Sequence, residues 1–286
     1  MINTKLTYLP VLILLTSLSF NTLAEDFPKS SSVPGGIAII QLDVLDSTKP
    51  EVFYKKNRVM VRKNTTHWEA IVGIPLSAKP GIHKLSIHNA DSKIIHTEFS
   101  ISDKSYAEQR LKIKNKRMVN PNANDLKRIN KEKSIIVNAL KTWNEREAVD
   151  MSFILPVDGR LSSPFGLRRY FNDQARNPHS GLDVAAATGT PVKAPADGTI
   201  LATGNFFFNG NTVFIDHGQG LITMYCHMNK ISIQQGAIVK QGDIIGEVGE
   251  TGRVTGPHLH WSVSLNDARI EPELFLDTVQ LSQKKN

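Results

Sequence analysis

Five side chains toward the C-terminal end of the chain, His179, Asp183, His227, His258 and His260, are of the types that hold a divalent metal and move protons. They fall in telling patterns: His179-Ser-Gly-Leu-Asp183, His258-Leu-His260, and His227 between them in Tyr225-Cys226-His227. In a strand, alternate side chains share a face, so His258 and His260 project together while Leu259 packs behind them. A catalytic zinc takes three protein ligands and keeps one position open for water. Five groups therefore supply three ligands and leave two imidazoles. That surplus suits hydrolysis, in which the metal acidifies a water and polarises a carbonyl, one imidazole takes the proton, and another steadies the oxyanion. A lone histidine reads as core or surface. The two paired spacings in one region do not.

Other groups of the same types read as structural. His217, in Asp216-His217-Gly218, closes a turn between two strands. The single cysteine, Cys226, reads as a small buried filler on a strand, since nothing near it in sequence stabilises a thiolate. His67, His83, His88 and His96 lack metal-like pairing and read as exposed strand positions.

The elements that must position the cluster fall into three regions. Residues 25–103 carry short β-branched runs at Gly36–Leu45, Val52–Tyr54, Arg58–Arg62, His67–Ile74, His83–His88 and Lys93–Ile101, separated by turn formers. They predict a small N-terminal β-sandwich. Residues 104–150 are a linker: a basic run (Lys112, Lys114, Lys116, Arg117), then one amphipathic helix. It starts at Asn120-Pro121-Asn122 and carries Leu126, Ile129, Ile136, Leu140 and Trp143. Residues 151–286 are rich in glycine and short strands, with runs at Thr199–Gly204, Thr212–Asp216, Leu221–His227 and Ile244–Val248. They predict a compact, mostly antiparallel β domain, so the fold class is mostly β with one connecting helix.

The N-terminus reads as an export signal over residues 1–24: Lys5, an apolar run from Leu9 to Phe20, and Thr22-Leu23-Ala24 as a small-x-small cleavage site. This predicts a periplasmic or secreted protein, with membrane anchoring if the signal is not cleaved. An exported chain with one cysteine has no internal disulfide, so its domains stand on their cores. The net charge of +7 fits a polyanionic cell envelope and equally a solvated surface; no nucleic-acid partner is expected.

Three stretches resemble the M23 (lysostaphin/LytM-type) zinc peptidoglycan endopeptidases: Ser163-Pro164-Phe165-Gly166-Leu167-Arg168, Pro178-His179-Ser180-Gly181-Leu182-Asp183 and Gly256-Pro257-His258-Leu259-His260-Trp261. The resemblance runs from about Leu155 to Leu276, and the N-terminal β domain with its helix resembles the extension of exported Gram-negative members. It implies a zinc metalloendopeptidase acting on peptidoglycan, with His179, Asp183 and His260 as ligands of Zn2+ and His258 and His227 as the catalytic imidazoles. His258 is favoured as general base and His227 as transition-state stabiliser. It also implies a groove between loops at 169–176 and 206–211, where Arg168, Arg169 and Arg176 could meet substrate carboxylates. Tyr170 lies farther from the first ligand than the tyrosine of pentaglycine-cutting members. That favours a DD-endopeptidase acting on D-alanyl–diaminopimelate cross-links. The two-domain layout and the family's habit suggest regulation, by a partner or by an N-terminal domain covering the groove. Two other classes compete. A catalytically silent member that binds wall or activates an amidase would have lost ligands that this chain keeps. A lipoyl- or biotin-carrier fold, suggested by Gly236-Ala237-Ile238-Val239-Lys240-Gln241-Gly242-Asp243, lacks the modified lysine hairpin.

Overall fold

The computed structural model describes residues 27–43, 48–88 and 94–282. The expected export signal at residues 1–24 lies outside them. The first half forms β1 (Ile37–Leu42), β2 (Glu51–Tyr54), β3 (Asn57–Lys63), β4 (Trp68–Gly73), β5 (Gly81–His88) and β6 (Ile94–Ile101). All pairings are antiparallel, in the order β1-β4-β3-β2-β5-β6. The sheet curls until its edges, β1 and β6, touch, which makes it barrel-like. Val52, Val59, Val61, Ala70, Leu85 and Ile87 fill its interior because period-two alternation puts them on one face.

The linker contributes β7 (Glu108–Leu111) and α1 (Ala123–Leu140). Asn122 caps α1 in a reciprocal box: its side-chain oxygen accepts from the Asp125 backbone, and Asp125 accepts from the Asn122 N–H. Only the far end of the expected apolar stripe is core. Ile136, Ala139 and Leu140 pack on Phe214, Ile222 and Met224, whereas Leu126 stays about half exposed at 48%. Trp143 lies beyond the helix and stacks on the Arg58 guanidinium.

The second half adds β8 (Arg160–Ser163), β9 (Arg168–Phe171), β10 (Gln174–Ala175), β11 (Leu182–Ala185), β12 (Pro191–Lys193), β13 (Gly198–Phe206) and β14 (Gly210–Gly218). There follow β15 (Leu221–Met228), β16 (Lys230–Ile231), β17 (Ile238–Val239), β18 (Ile244–Glu247), β19 (His258–Leu265) and β20 (Ala268–Ile270). The main sheet runs β17-β13-β14-β15-β19-β11-β8, with β20 on β19 and a small sheet β12-β18-β16 beside it. Tyr225, Leu259, Trp261 and Val263 form the centre of its core with Phe153 and Phe275. The hairpin β9–β10 stands apart, and β7 joins it as a parallel strand.

The curled sheet docks at the far end of β19. Asn266 accepts from Gly73 N–H at 2.6 Å and donates to Gly73 O at 2.9 Å, and Gln219 accepts from Val61 N–H at 3.1 Å. Ile37, Met60 and Ile71 share the second half's core there. His258 stands at the opposite end of β19, roughly 24 Å away at the rise of an antiparallel strand.

Candidate metal centre and cleft

Register builds the centre. On β11 and β19, Asp183 stands directly opposite His260 and Ala185 opposite His258; on β15, Cys226 is the next partner of His260. His179 reaches the same point from the loop before β11. Gly181 permits this, because a Cβ there would lie 2.5 Å from Trp261 O and 2.8 Å from the His260 ring. His179 Nε2, Asp183 Oδ1 and His260 Nδ1 thus form a triangle with sides of 2.9, 3.0 and 2.7 Å. It is the group able to hold a metal among the described residues, and all three members are buried.

The surroundings fix which ring atoms face inward. His179 Nδ1 is 2.7 Å from the carbonyl oxygen of Pro164, which can only accept, so the neutral ring presents a bare Nε2 lone pair to the triangle. His260 Nε2 meets Ser262 Oγ at 2.9 Å, leaving Nδ1 to face inward. Two lone pairs and a carboxylate then converge in a buried spot, an arrangement that repels unless a cation sits among them. The donor set therefore fits a metal of the zinc type, with outer partners holding each ligand. Asp183 Oδ2 is held at 3.0 Å by the Arg169 guanidinium. Burial raises the Asp183 pKa, but where a proton rather than a metal is shared in the triangle, the hydrogen bonds and charge it lends His179 and His260 hold the carboxyl well below the usual carboxylate range. Burial pushes His260 down to about 4, against the pull of Asp183.

Two more imidazoles face the triangle. His258 follows the alternation of β19, its Nδ1 donating to Gly256 O at 2.8 Å and its Nε2 lying 3.9 Å from Asp183 Oδ1. His227 does not follow alternation. Tyr225 points into the core and Cys226 to the opposite side, so an extended His227 would join Tyr225. Instead it takes φ +66°, a left-handed conformation that costs a non-glycine residue of order 1 kcal/mol, and its ring swings to 4.9 Å from His258 and 6.0 Å from His260. Its Nδ1 donates to Thr251 O at 2.8 Å, and burial together with His260 and His258 pushes it down to about 3. Both rings are thus placed to offer Nε2 as a proton acceptor.

The centre lies in a cleft of about 1020 Å³. One wall is the β9–β10 hairpin (Arg169, Phe171, Arg176), another is Phe208 and Asn209, and a third runs from Arg253 to Pro257. These walls include both loops expected from sequence. The linker adds Leu111, Ile113, Val119 and Ile136, whereas no described residue before Gln109 lines the cleft. Asn172 pins Ile113 by accepting from its N–H at 2.8 Å and donating to its carbonyl at 3.1 Å, while Glu132 accepts from Phe207 N–H at 2.8 Å. The linker therefore fastens to two opposing lips.

The three arginines singled out from sequence separate. Arg168 is exposed, against Tyr106 O and Glu108. Arg169 turns inward to Asp183 and Gln109. Arg176 lines the cleft and donates to Val119 O at 2.9 Å and Gln174 Oε1 at 2.7 Å. Tyr170 lies under Arg110 and away from the cleft lining. Cys226 is buried, which pushes its thiol up to about 12, and His217 is sealed between Asp197 O and Thr223 Oγ1. The carbonyls of Pro164, Thr251 and Gly256 carry no sequence signal for their roles. Ser262 does, standing two residues beyond His260 on the same face.

Comparison with known proteins gives this constellation its context. The profile of "Peptidase family M23" matches residues 177–272 and that of "Peptidase family M23 N-terminal domain" matches residues 30–104. A crystal structure titled putative peptidase M23 from Pseudomonas aeruginosa is 42% identical, with a TM-score of 0.73, covering 87% of this chain and 96% of that one. DD-carboxypeptidase/endopeptidase Mpg of Neisseria meningitidis is 44% identical over 125 residues, 43% of this chain and 29% of its own length. Peptidoglycan DD-endopeptidase ShyA of Vibrio cholerae is 45% identical over 111 residues, 38% of this chain and 26% of its own. The match thus spans less than a third of either relative.

Proposed function

The chain belongs to peptidase family M23, and on that premise we propose that it is a zinc metalloendopeptidase that hydrolyses the peptide cross-links of peptidoglycan, taking the D-alanyl–diaminopimelate bond. The observation that carries this is the convergence of His179 Nε2, Asp183 Oδ1 and His260 Nδ1. The names of two relatives as DD-endopeptidases support the bond. His179, Asp183 and His260 hold Zn2+, which when bound acidifies a water and polarises the scissile carbonyl. His258 takes the water's proton at Nε2, the atom left bare by its bond to Gly256 O. His227, whose ring stands 4.9 Å from that of His258, is the transition-state stabiliser, and Thr251 O keeps the ring aimed at the reacting centre. Arg169 keeps Asp183 ionised and oriented. Arg176, with Arg168 at the outer edge, meets carboxylates of the stem peptide.

This substrate places the protein in the periplasm or outside the cell, in keeping with the export signal expected at residues 1–24. A silent regulator needs no converging ligand set, so the geometry favours the enzyme. Digestion of purified sacculi tests the reading. Wild type is expected to remove cross-linked dimers, His258→Ala to be slower by about 10²- to 10⁴-fold, and the protein to carry stoichiometric zinc. New glycan fragments, or a metal-free protein in zinc-replete growth, would sink it.

We also propose that the enzyme is held latent by its own chain. The curled sheet, the covering domain expected from sequence, docks about a β19 length away from the centre, and the cover is drawn instead from the linker. The fastenings at Asn172 and Glu132 support this.

A further inference from the structure

The cleft carries more positive charge than its own residues answer. Arg169, Arg176, Arg253 and Arg269 line it, and the single carboxylate among its described lining residues, Asp183, belongs to the metal ligand set and to Arg169. Among the described residues, Arg176 is met by neutral oxygens alone. Arg253 meets this imbalance at the lips of the cleft. Its guanidinium is clamped between two aromatic rings on opposite lips, 4.8 Å from the centre of Phe171 and 4.4 Å from that of Phe208. Stacking occupies the two faces of the planar ion and leaves the N–H donors at its edge free. No described residue accepts a hydrogen bond or ion pair from that side chain. Burial and the neighbouring charges of Arg169 and Arg176 push Arg253 down to about 10, so a cation is being held where a cation is disfavoured. A planar guanidinium held rigidly, with its fork of donors open to a cleft, is the arrangement that takes a carboxylate in two parallel hydrogen bonds.

We propose that Arg253, assisted by Arg176, is a specificity-determining residue that binds the free carboxylate of the residue supplying the amine of the scissile bond. The inference rests on the peptidoglycan reading above and deepens it. In a D-alanyl–diaminopimelate cross-link, the carbon bearing the acylated amine also bears a carboxylate. The same holds for the terminal residue of an uncross-linked D-alanyl-D-alanine stem. One carboxylate subsite beside the metal centre therefore admits both bonds and rejects an internal peptide bond, where that carboxyl is tied up as an amide. Arg253 stands five residues before His258 on the strand-leading loop that forms the cleft wall, so its subsite lies beside the reacting atoms.

The test uses the full-length, zinc-loaded protein and synthetic cross-linked muropeptide dimers whose carboxylate next to the scissile amine is free or converted to the primary amide. Wild type is expected to cleave the free acid with kcat/KM at least tenfold above the amide. Arg253→Gln is expected to lose that preference, mainly by raising KM for the acid, while leaving the amide's rate within about twofold. Arg253→Lys, which keeps charge and loses the fork, should fall between them. Equilibrium binding of N-acetyl-D-alanyl-diaminopimelate against its amide to the metal-free protein provides a readout apart from turnover, with the acid binding at least tenfold tighter. If wild type treats acid and amide alike in cleavage and in binding, the subsite is wrong even where both are cut. If neither dimer is cut yet the acid binds preferentially, the peptidase reading fails and the subsite stands.

Discussion

Both halves of the molecule are antiparallel sheets closed over apolar cores, but they treat buried polar groups in opposite ways. In the curled sheet of residues 37–101, Glu69 is the one charged side chain buried among the described residues, and Arg62, Asn64 and His67 satisfy it at the rim. Its histidines are part-buried or exposed. The second half buries His179, Asp183, His217, His227 and His260. Burying such groups without partners costs several kcal/mol, so each needs an explanation. Two kinds emerge. His217 has an acceptor and a hydroxyl for its two nitrogens and is complete as it stands. His179 has one nitrogen satisfied by backbone and the other aimed at Asp183 and His260, a contact that only a shared proton or metal makes favourable. Incomplete satisfaction, rather than burial, separates the functional histidines from the structural one.

The contrast is most sharply tested at the triangle. Asp183→Asn keeps the volume and removes the charge that balances a divalent ion. We expect zinc content to fall to a small fraction of one per chain, and cross-link cleavage to drop by about 10³-fold or more, beyond the loss of a single transition-state donor. The same change at Glu69, Glu69→Gln, should leave both measurements unchanged. Retained zinc and turnover in Asp183→Asn would remove the centre from the proposal.

A second measurement separates the complete histidine from the incomplete ones. Burial pushes His217 down to about 4 from the ordinary 6.5. The folded state therefore refuses a proton that the unfolded chain takes up between those values. The stability supplied by the neutral ring is fully present above pH 6.5 and is lost as pH falls toward 4, amounting to about 3 kcal/mol. Urea unfolding of the zinc-loaded protein at pH 7 and pH 4.5 should show a drop that is smaller in His217→Gln by most of that amount. Equal slopes for the two proteins would mean that His217 is not held neutral.

How far the site was legible follows from which rule each residue obeys. His258 and His260 obey strand alternation, so their common face could be read directly, and the ends of β1 to β6 followed from turn formers in the same way. The opposition of Asp183 and His260 depends on the register of β11 against β19, which no spacing along the chain encodes. His227 breaks alternation through a left-handed backbone imposed by its surroundings, and the sequence around it contains no glycine to advertise the turn. Residue type misleads at the arginines: Arg169 serves Asp183, while Arg253, which no motif of the sequence singles out, sets its guanidinium against Phe171 and Phe208. In α1 the apolar period spans more than the packed face: Leu126 stays about half exposed, whereas Ile136, Ala139 and Leu140 pack on the sheet.

The smallest expected effect concerns the cover, and it sets the linker against the curled sheet. If the linker is a closed lid, loosening it should raise activity; if it is a permanent wall of the cleft, loosening it should lower activity. Glu132 is the fastening to cut, since its carboxylate accepts from the Phe207 N–H on the lip opposite the β9–β10 hairpin and pairs with Arg128. A charge-assisted hydrogen bond of this kind is worth about 1.5–3 kcal/mol, so Glu132→Ala in a mostly closed enzyme should raise kcat/KM on defined dimers by about fivefold to tenfold, with the effect capped once the open state dominates. Asn266→Ala cuts the corresponding fastening of the curled sheet at Gly73, on the far end of β19. It should lower the unfolding midpoint and leave kcat/KM within about twofold, because no described residue before Gln109 lines the cleft. A rise with Asn266→Ala and none with Glu132→Ala would return the covering role to the N-terminal sheet. A fall with Glu132→Ala would make the linker part of the substrate site.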